Sequence, residues 1–234
     1  MTDNSIFCID KILPQDLNRT SPTHGLLSAD RLRSIMVIRK QWPNGSTIRI
    51  KLIDGTQEQK NMVQRIAPEW TKHANLSFEF TDDTDAEIRV TFNPNAGNWS
   101  FEGTNSLNIS GDVATMNFSK LDQGVILHQF GHMIGLGHEF QVPEGGIYWN
   151  EKAIIEELSG PPNFWTIEII RHFIINKYSH NQINGPEFDQ ESIMLYSFPT
   201  NWTLDGFHNE QNTGLSEKDK AFVASEMMYP KDTD

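Results

Sequence analysis

Apolar and polar residues alternate over residues 47–52, where Ile48, Ile50 and Leu52 share one face, which is the period of a half-buried β-strand. The same alternation recurs over residues 76–81 and 87–92, and Asn93-Pro94-Asn95-Ala96-Gly97 closes the second run. Shorter runs over 105–109 and 114–118, separated by Gly111-Asp112, read as two more strands. Between the first two runs the period becomes helical. Met62, Val63, Ile66, Trp70 and Ala74 line one face of residues 58–74, although Pro68 lacks the N–H that a helix interior needs. Trp42-Pro43-Asn44-Gly45 is a turn signal. Residues 121–136 predict a buried helix ending near Gly135 or Gly137.

Beyond that point the periodicity is helical or absent. Residues 150–158 and 165–178 predict helices joined by Gly160-Pro161-Pro162, residues 179–215 are irregular, and 216–227 form a last helix opened by Ser216 with Asp219 three positions on. Ahead of the first strand, residues 14–24 are polar and proline-containing, and 26–39 suggest a helix through Leu26, Leu27, Ile35 and Ile38. Strands before residue 121 and helices or loops after it predict an α+β fold, with a cleft between a sheet-bearing upper part and a mostly helical or irregular lower part. Residues 1–40 read as an N-terminal arm and 41–234 as the main domain.

Charge narrows the partners. The 234-residue chain carries a formal net charge of −12 and a pI near 5.0. That argues against nucleic acid, which wants a basic face, and against anionic membrane surfaces. No apolar run is long enough to span a bilayer. The start, Met1-Thr2-Asp3-Asn4-Ser5, lacks the basic and apolar regions of a signal peptide, so the expectation is a chain cytoplasmic at synthesis or exported by a leaderless route. A monomer is expected. The single cysteine, Cys8, excludes an intrachain disulfide and a cysteine-rich zinc finger.

Candidate chemistry concentrates in His128-Gln129-Phe130-Gly131-His132-Met133-Ile134-Gly135-Leu136-Gly137-His138. His128 and His132 are one helical turn apart and project from one face. Gly135 permits a sharp turn that brings His138 back as a third nitrogen ligand. Three histidines and an open fourth position suit catalytic Zn²⁺. His24, His73, His172, His180 and His208 have no partner at ligand spacing and read as structural or solvated.

This pattern resembles the metzincin zinc endopeptidases, and within them the astacin and matrixin types, whose signature H-E-x-x-H-x-x-G-x-x-H is followed by a methionine turn. Ser192-Ile193-Met194-Leu195-Tyr196 and Glu139 after the third histidine are astacin-like. Further similarity lies in Trp70, Asn75-Leu76-Ser77-Phe78, Ile88-Arg89-Val90-Thr91-Phe92, Trp99-Ser100 and Ala114-Thr115-Met116-Asn117-Phe118. Gly160-Pro161-Pro162-Asn163 and Leu215-Ser216-Glu217-Lys218-Asp219-Lys220 resemble a microbial subgroup. The resemblance covers roughly residues 40–230 and implies a metzincin-like catalytic domain over 41–234, acting on protein or peptide substrates. It implies that Met194 lies beneath the zinc and that Tyr196 is a loosely held ligand that swings to stabilise the transition state. A substrate strand would join the sheet edge near residues 99–109. The pocket for the residue after the cleaved bond would lie between the motif helix and the segment after Tyr196, including Phe198, Pro199 and Phe207.

The chain departs from the signature at one decisive place. Gln129 stands where the general-base Glu is expected. An amide hydrogen-bonds a water but does not take and return its proton. The expectation is an endopeptidase scaffold with little or no turnover. A deliberate isosteric inactivation of a working protease accounts for an otherwise complete site better than a natural pseudoprotease does. The alternatives are a zinc protein that holds peptides uncut and, less well matched, a zinc hydrolase of non-peptide substrates. Matrixin proenzymes block the open zinc position with a cysteine from an N-terminal segment. By that resemblance Cys8 is a candidate cysteine switch and residues 1–40 a candidate pro-segment.

Overall fold

The computed structural model describes residues 8, 36–37, 40–142, 146–161, 164–177, 183–184 and 188–231. In chain order the elements are β1 (Met36–Val37), β2 (Thr47–Leu52), α1 (Gln57–Ile66), β3 (Ser77–Phe80), β4 (Ile88–Thr91), β5 (Trp99–Ser100), β6 (Met116–Asn117), α2 (Gln123–Met133), α3 (Glu151–Leu158), α4 (Ile167–Ile170), β7 (Ile183–Asn184) and α5 (Glu217–Val223). Five strands form one mixed sheet in the order β3-β2-β4-β6-β5. All neighbours are parallel except β5, which runs antiparallel to β6 with Trp99 opposite Asn117 and leaves an open edge. This is the expected α+β architecture.

Side chains of Ile48, Ile50, Ile88, Val90 and Met116 leave the sheet for the upper core, where they meet α1 and the buried helix α2. Burial of α2 is nearly complete from Gly124 to Met133, so it reads as a core helix rather than an amphipathic one. Its flanks are tied by aromatic N–H and O–H groups. The Trp70 indole donates to the Leu127 carbonyl at 2.9 Å, and the Trp42 indole to that of Met133 at 2.8 Å. The Tyr229 hydroxyl donates to the Ile134 carbonyl at 2.6 Å. A second apolar cluster holds Phe140, Ile154, Leu158, Leu195, Tyr196, Phe198 and Trp202, and forms the lower part.

Several local expectations are corrected. Residues 58–74 are two pieces, because Pro68 ends the α-helix and a 3₁₀ segment, Ala67–Lys72, follows. Residues 105–109 form no strand. Gly103–Asn108 is a 3₁₀ turn, closed by Ser106 Oγ on the Gly103 carbonyl and anchored by Thr104 N on Lys40 O at 2.8 Å. The open edge is therefore the short β5 rather than all of residues 99–109. The helix expected over 165–178 is one α turn, Ile167–Ile170, running into a π turn, Arg171–Ile175. The motif helix and the last helix are shorter than 121–136 and 216–227, because Asp122 and the turn at Gly135 bound the first and Ser216 opens the second. Within the irregular stretch lie β7 and a 3₁₀ turn, Thr200–Trp202. Of the helix expected over 26–39, the described residues 36–37 are instead β1, paired antiparallel with β7. The rest of that helix, and the extended segment 14–24, lie outside the described residues.

Arg89 is the exception to period-two burial. It is 5% exposed in β4, and its guanidinium donates to the carbonyls of Ala86, Ile109, Ser110 and Val113. Burial holds its pKa below the ordinary arginine value.

Replacing Tyr229 with Phe leaves the buried Ile134 carbonyl without that donor. The expected cost is about 1–3 kcal/mol, read as a lower urea midpoint at unchanged slope.

Candidate metal centre

The histidines converge because of how α2 ends. Gly135 adopts φ +99°. Its N–H reaches the His132 carbonyl at 2.8 Å, and Leu136 N–H reaches the Gly131 carbonyl at 3.0 Å, the paired bonds of a Schellman cap. The reversal turns the Leu136 carbonyl back to accept from His132 Nδ1 at 2.8 Å and delivers His138 to the same side. His128 Nδ1 donates to the Ile193 carbonyl at 2.7 Å. With Nδ1 protonated and engaged, each of these two rings presents the lone pair of Nε2 to the centre.

The three Nε2 atoms stand 3.0 Å (128 to 132), 3.2 Å (128 to 138) and 3.2 Å (132 to 138) apart, and all three rings are buried. Ligand nitrogens at about 2.0–2.1 Å from a tetrahedral zinc lie ~3.3 Å from one another, so the donor set fits this ion closely. Converging lone pairs repel unless a cation sits among them. Cys8 Sγ completes a group of four potential ligand atoms, all within 4.8 Å of one another. Cys8 is 5% exposed and bridges in parallel to Asn98, the residue before β5. Among the described residues, none of the other histidines joins such a group; His24 and His180 lie outside them.

Met194 sits under α2. Gly131 has no Cβ, and one built there would collide with the Met194 sulfur and crowd the Trp70 ring at 3.2 Å. The turn that carries Met194 is pinned by Asp219. Its carboxylate accepts from Ser192 Oγ at 2.7 Å, Ile193 N at 2.8 Å and Ser216 N at 3.0 Å. Ser216 Oγ donates to Asp189, Asp189 N donates to Glu139 at 2.8 Å, and Glu139 N donates to the Met194 carbonyl at 3.1 Å. Burial pushes Glu139 up to about 8 against that backbone bond, and Asp219 up to about 6 against its several donors.

Tyr196 is buried, with its ring centroid 4.9 Å from that of His138 and 6.2 Å from that of His128. Gln129 is 1% exposed and its amide nitrogen donates to Cys8 Sγ at 3.0 Å. A small hollow of about 10 Å³, room for about one water, lies beside the centre and is lined by Cys8, Val125, His128, Gln129, Ile193, Leu195, Tyr196 and Gln211. Phe198, Pro199 and Phe207, expected to line the pocket for the residue after the cleaved bond, are not among the residues of this hollow. Phe198 turns into the lower core, 5.0 Å from Trp149 and 5.8 Å from Phe207 between ring centroids. Asp189, Asp219, Asn98 and Gln211 carry no site signal in the sequence. The Ser216/Asp219 capping pattern is the one local hint, and it points to a helix start.

A buried imidazole triad, two rings on a core helix and the third just beyond its glycine turn, backed by a methionine turn and set below a mixed sheet, defines a zinc peptidase domain of the metzincin class. The family model for astacin, a peptidase family, matches residues 34–211. The chain belongs to the astacin family, whose members depend on zinc. A solved structure of myroilysin is 34% identical, with a TM-score of 0.80 over 86% of this chain and 100% of that one. A second myroilysin structure is 28% identical, with a TM-score of 0.69 over 98% and 93%. High choriolytic enzyme 1, a hatching-enzyme zinc protease from Oryzias latipes (medaka fish), shares the fold at 16% identity and a TM-score of 0.50, over 79% of this chain and 92% of its own. Tolloid-like protein 1 of Mus musculus and of Homo sapiens is 26% identical over 158 residues, 67% of this chain but 14% of theirs. The chain thus spans about a seventh of the length of those curated relatives. No helix among the described residues is long and apolar enough to cross a membrane.

A buried carboxyl whose pKa is raised on folding destabilises the fold as it ionises. In the metal-free protein, the Glu139 contribution is fully present below about pH 4.5 and is lost as pH rises through about 8. Glu139→Gln removes it. The stability gap between parent and variant, from urea melts at several pH values, should narrow steadily across that window.

Proposed function

We propose that this chain is a zinc endopeptidase scaffold that binds peptide chains and cleaves them slowly or not at all, because Gln129 occupies the place of the proton carrier. The convergence of three buried Nε2 atoms to within 3.2 Å is the observation that carries the reading. His128, His132 and His138 hold Zn²⁺. When bound, the ion acidifies a coordinated water and polarises a peptide carbonyl. Met194 forms the apolar floor under the ligand helix. The Tyr196 hydroxyl supplies a donor to the oxygen that gains charge at the reacting carbon. An extended substrate lies along the free edge at β5 through main-chain hydrogen bonds, with the residue after the cleaved bond between α2 and the segment after Tyr196. Gln129 hydrogen-bonds the attacking water without accepting its proton, so the step stalls.

Residues 1–40 serve as a pro-segment, with Cys8 taking the fourth coordination position. Two observations support this: the closeness of Cys8 Sγ to the imidazole nitrogens, and the bridge from Cys8 to Asn98 at the sheet edge that a substrate needs. The second reading is a pseudoprotease that keeps zinc and peptide binding as its function. The buried Gln129 contact to Cys8 favours it.

Gln129→Glu, tested alone and combined with Cys8→Ala, should gain chelator-sensitive cleavage of a diverse peptide mixture by ~10²–10⁴ over the parent. Absence of cleavage by the doubly substituted protein at full zinc loading would overturn the endopeptidase reading. Separately, Cys8→Ala should tighten binding of a hydroxamate to the zinc-loaded protein, and an unchanged affinity would remove Cys8 from the coordination shell.

A further inference from the structure

We propose that Gln129 is a second hold on the arm, its amide N–H bonding the Cys8 sulfur so that the zinc centre rests closed on four protein ligands. The inference builds on the reading of Cys8 as the fourth ligand. Gln129 Nε2 lies 3.0 Å from Sγ, and both residues are buried. The other end of the same amide, Oε1, is buried with no hydrogen-bond partner. The N–H, rather than the oxygen, of the amide faces the sulfur. Turning the amide over would set an acceptor against the sulfur lone pairs.

The residue at position 129 therefore has two effects. A carboxylate there offers only acceptors and a negative charge, which faces an electron-rich sulfur unfavourably. An amide of nearly the same shape offers a donor. The side chain that cannot carry a proton for hydrolysis is the one that bonds the blocking sulfur. Hydrogen bonds from neighbouring groups orient a metal ligand and tune its hold on the ion. A His₃Cys set with such support has the closed coordination of a structural zinc site rather than the open position of a catalytic one. Cys8 is then a resting closure of the centre, strengthened at the residue where the family signature requires Glu.

The test uses the full chain loaded with cobalt in place of zinc. Two quantities are read: the sulfur-to-cobalt charge-transfer absorption, and the rate at which Ellman's reagent modifies Cys8. The parent should show the absorption and react slowly. Gln129→Glu and the near-isosteric, donor-less Gln129→Leu should each react about tenfold faster or more, with metal content unchanged. If the parent shows the absorption and all three proteins react at one rate, the hold by Gln129 is overturned while the coordination of Cys8 stands. If only Gln129→Glu speeds up, charge repulsion alone is at work and the N–H to sulfur bond is overturned. Absence of the absorption in the parent overturns the coordination of Cys8 and this inference with it.

Discussion

The molecule is organised around a repulsion. Three imidazole lone pairs are held within 3.2 Å of one another in a buried space, where solvent screening is weak. An isolated chain would relax such an arrangement by rotating a ring or protonating a nitrogen. Here two of the rings cannot rotate freely, because Nδ1 of each is engaged by a backbone carbonyl, Ile193 for His128 and Leu136 for His132. The carbonyls are themselves fixed. Leu136 is set by the glycine cap of α2, and Ile193 by the carboxylate of Asp219 through its own N–H. The scaffold's rigidity serves to present three nitrogens to one point, as a metal site that must not reorganise requires.

The two halves of the fold meet in that constraint. Ligand helix α2 belongs to the upper core, and its position depends on Trp70, Trp42 and Tyr229. The methionine turn belongs to the later part of the chain and depends on α5. Between them runs a series of buried polar groups from Asp219 through Ser216 and Asp189 to Glu139, which sits next to His138 and bonds back to the methionine turn. Buried carboxyls are costly unless their acceptors are used, and Asp219 uses several. These groups give the lower segment a defined seat although it has little regular structure, so an irregular backbone still positions a ring's carbonyl partner to hydrogen-bonding accuracy.

Much of this is legible in the sequence. Alternation over β2, β3 and β4 places the sheet, and the four- and six-residue spacings with Gly135 place the three imidazoles on one centre. Methionine at 194 and tyrosine at 196 are recognisable from the local pattern. What is not legible depends on contacts between distant segments. Arg89 interrupts a strand alternation and is buried because its long side chain carries the guanidinium to loop carbonyls, which no local period encodes. Residues 105–109 have the composition of a strand but no neighbour to pair with, and β-propensity without a partner does not make a strand. Asp219 belongs to a capping box that local pattern accounts for entirely as helix initiation, whereas the same carboxylate also reaches back 26 residues to Ile193. The place of Phe198 is equally non-local, because the lower core takes its ring inward.

A four-membered donor cluster with Gln129 beside it raises the question of how position 129 bears on the fold. Losing a base leaves the three nitrogens, their carbonyl partners and the methionine floor untouched, since the hydrogen bonds that set them do not run through the side chain at position 129. The substitution is therefore separable from folding and from metal geometry, and its consequences fall on two things only: the water and the arm. Under the proposed reading an amide neither takes the water's proton nor repels the Cys8 sulfur, and both effects point the same way. The Gln129 N–H lies 3.0 Å from the Cys8 sulfur, so one side chain faces both the imidazole centre and Cys8. That contact ties position 129 physically to the fourth member of the ligand cluster, so under the proposed reading the two act on one centre.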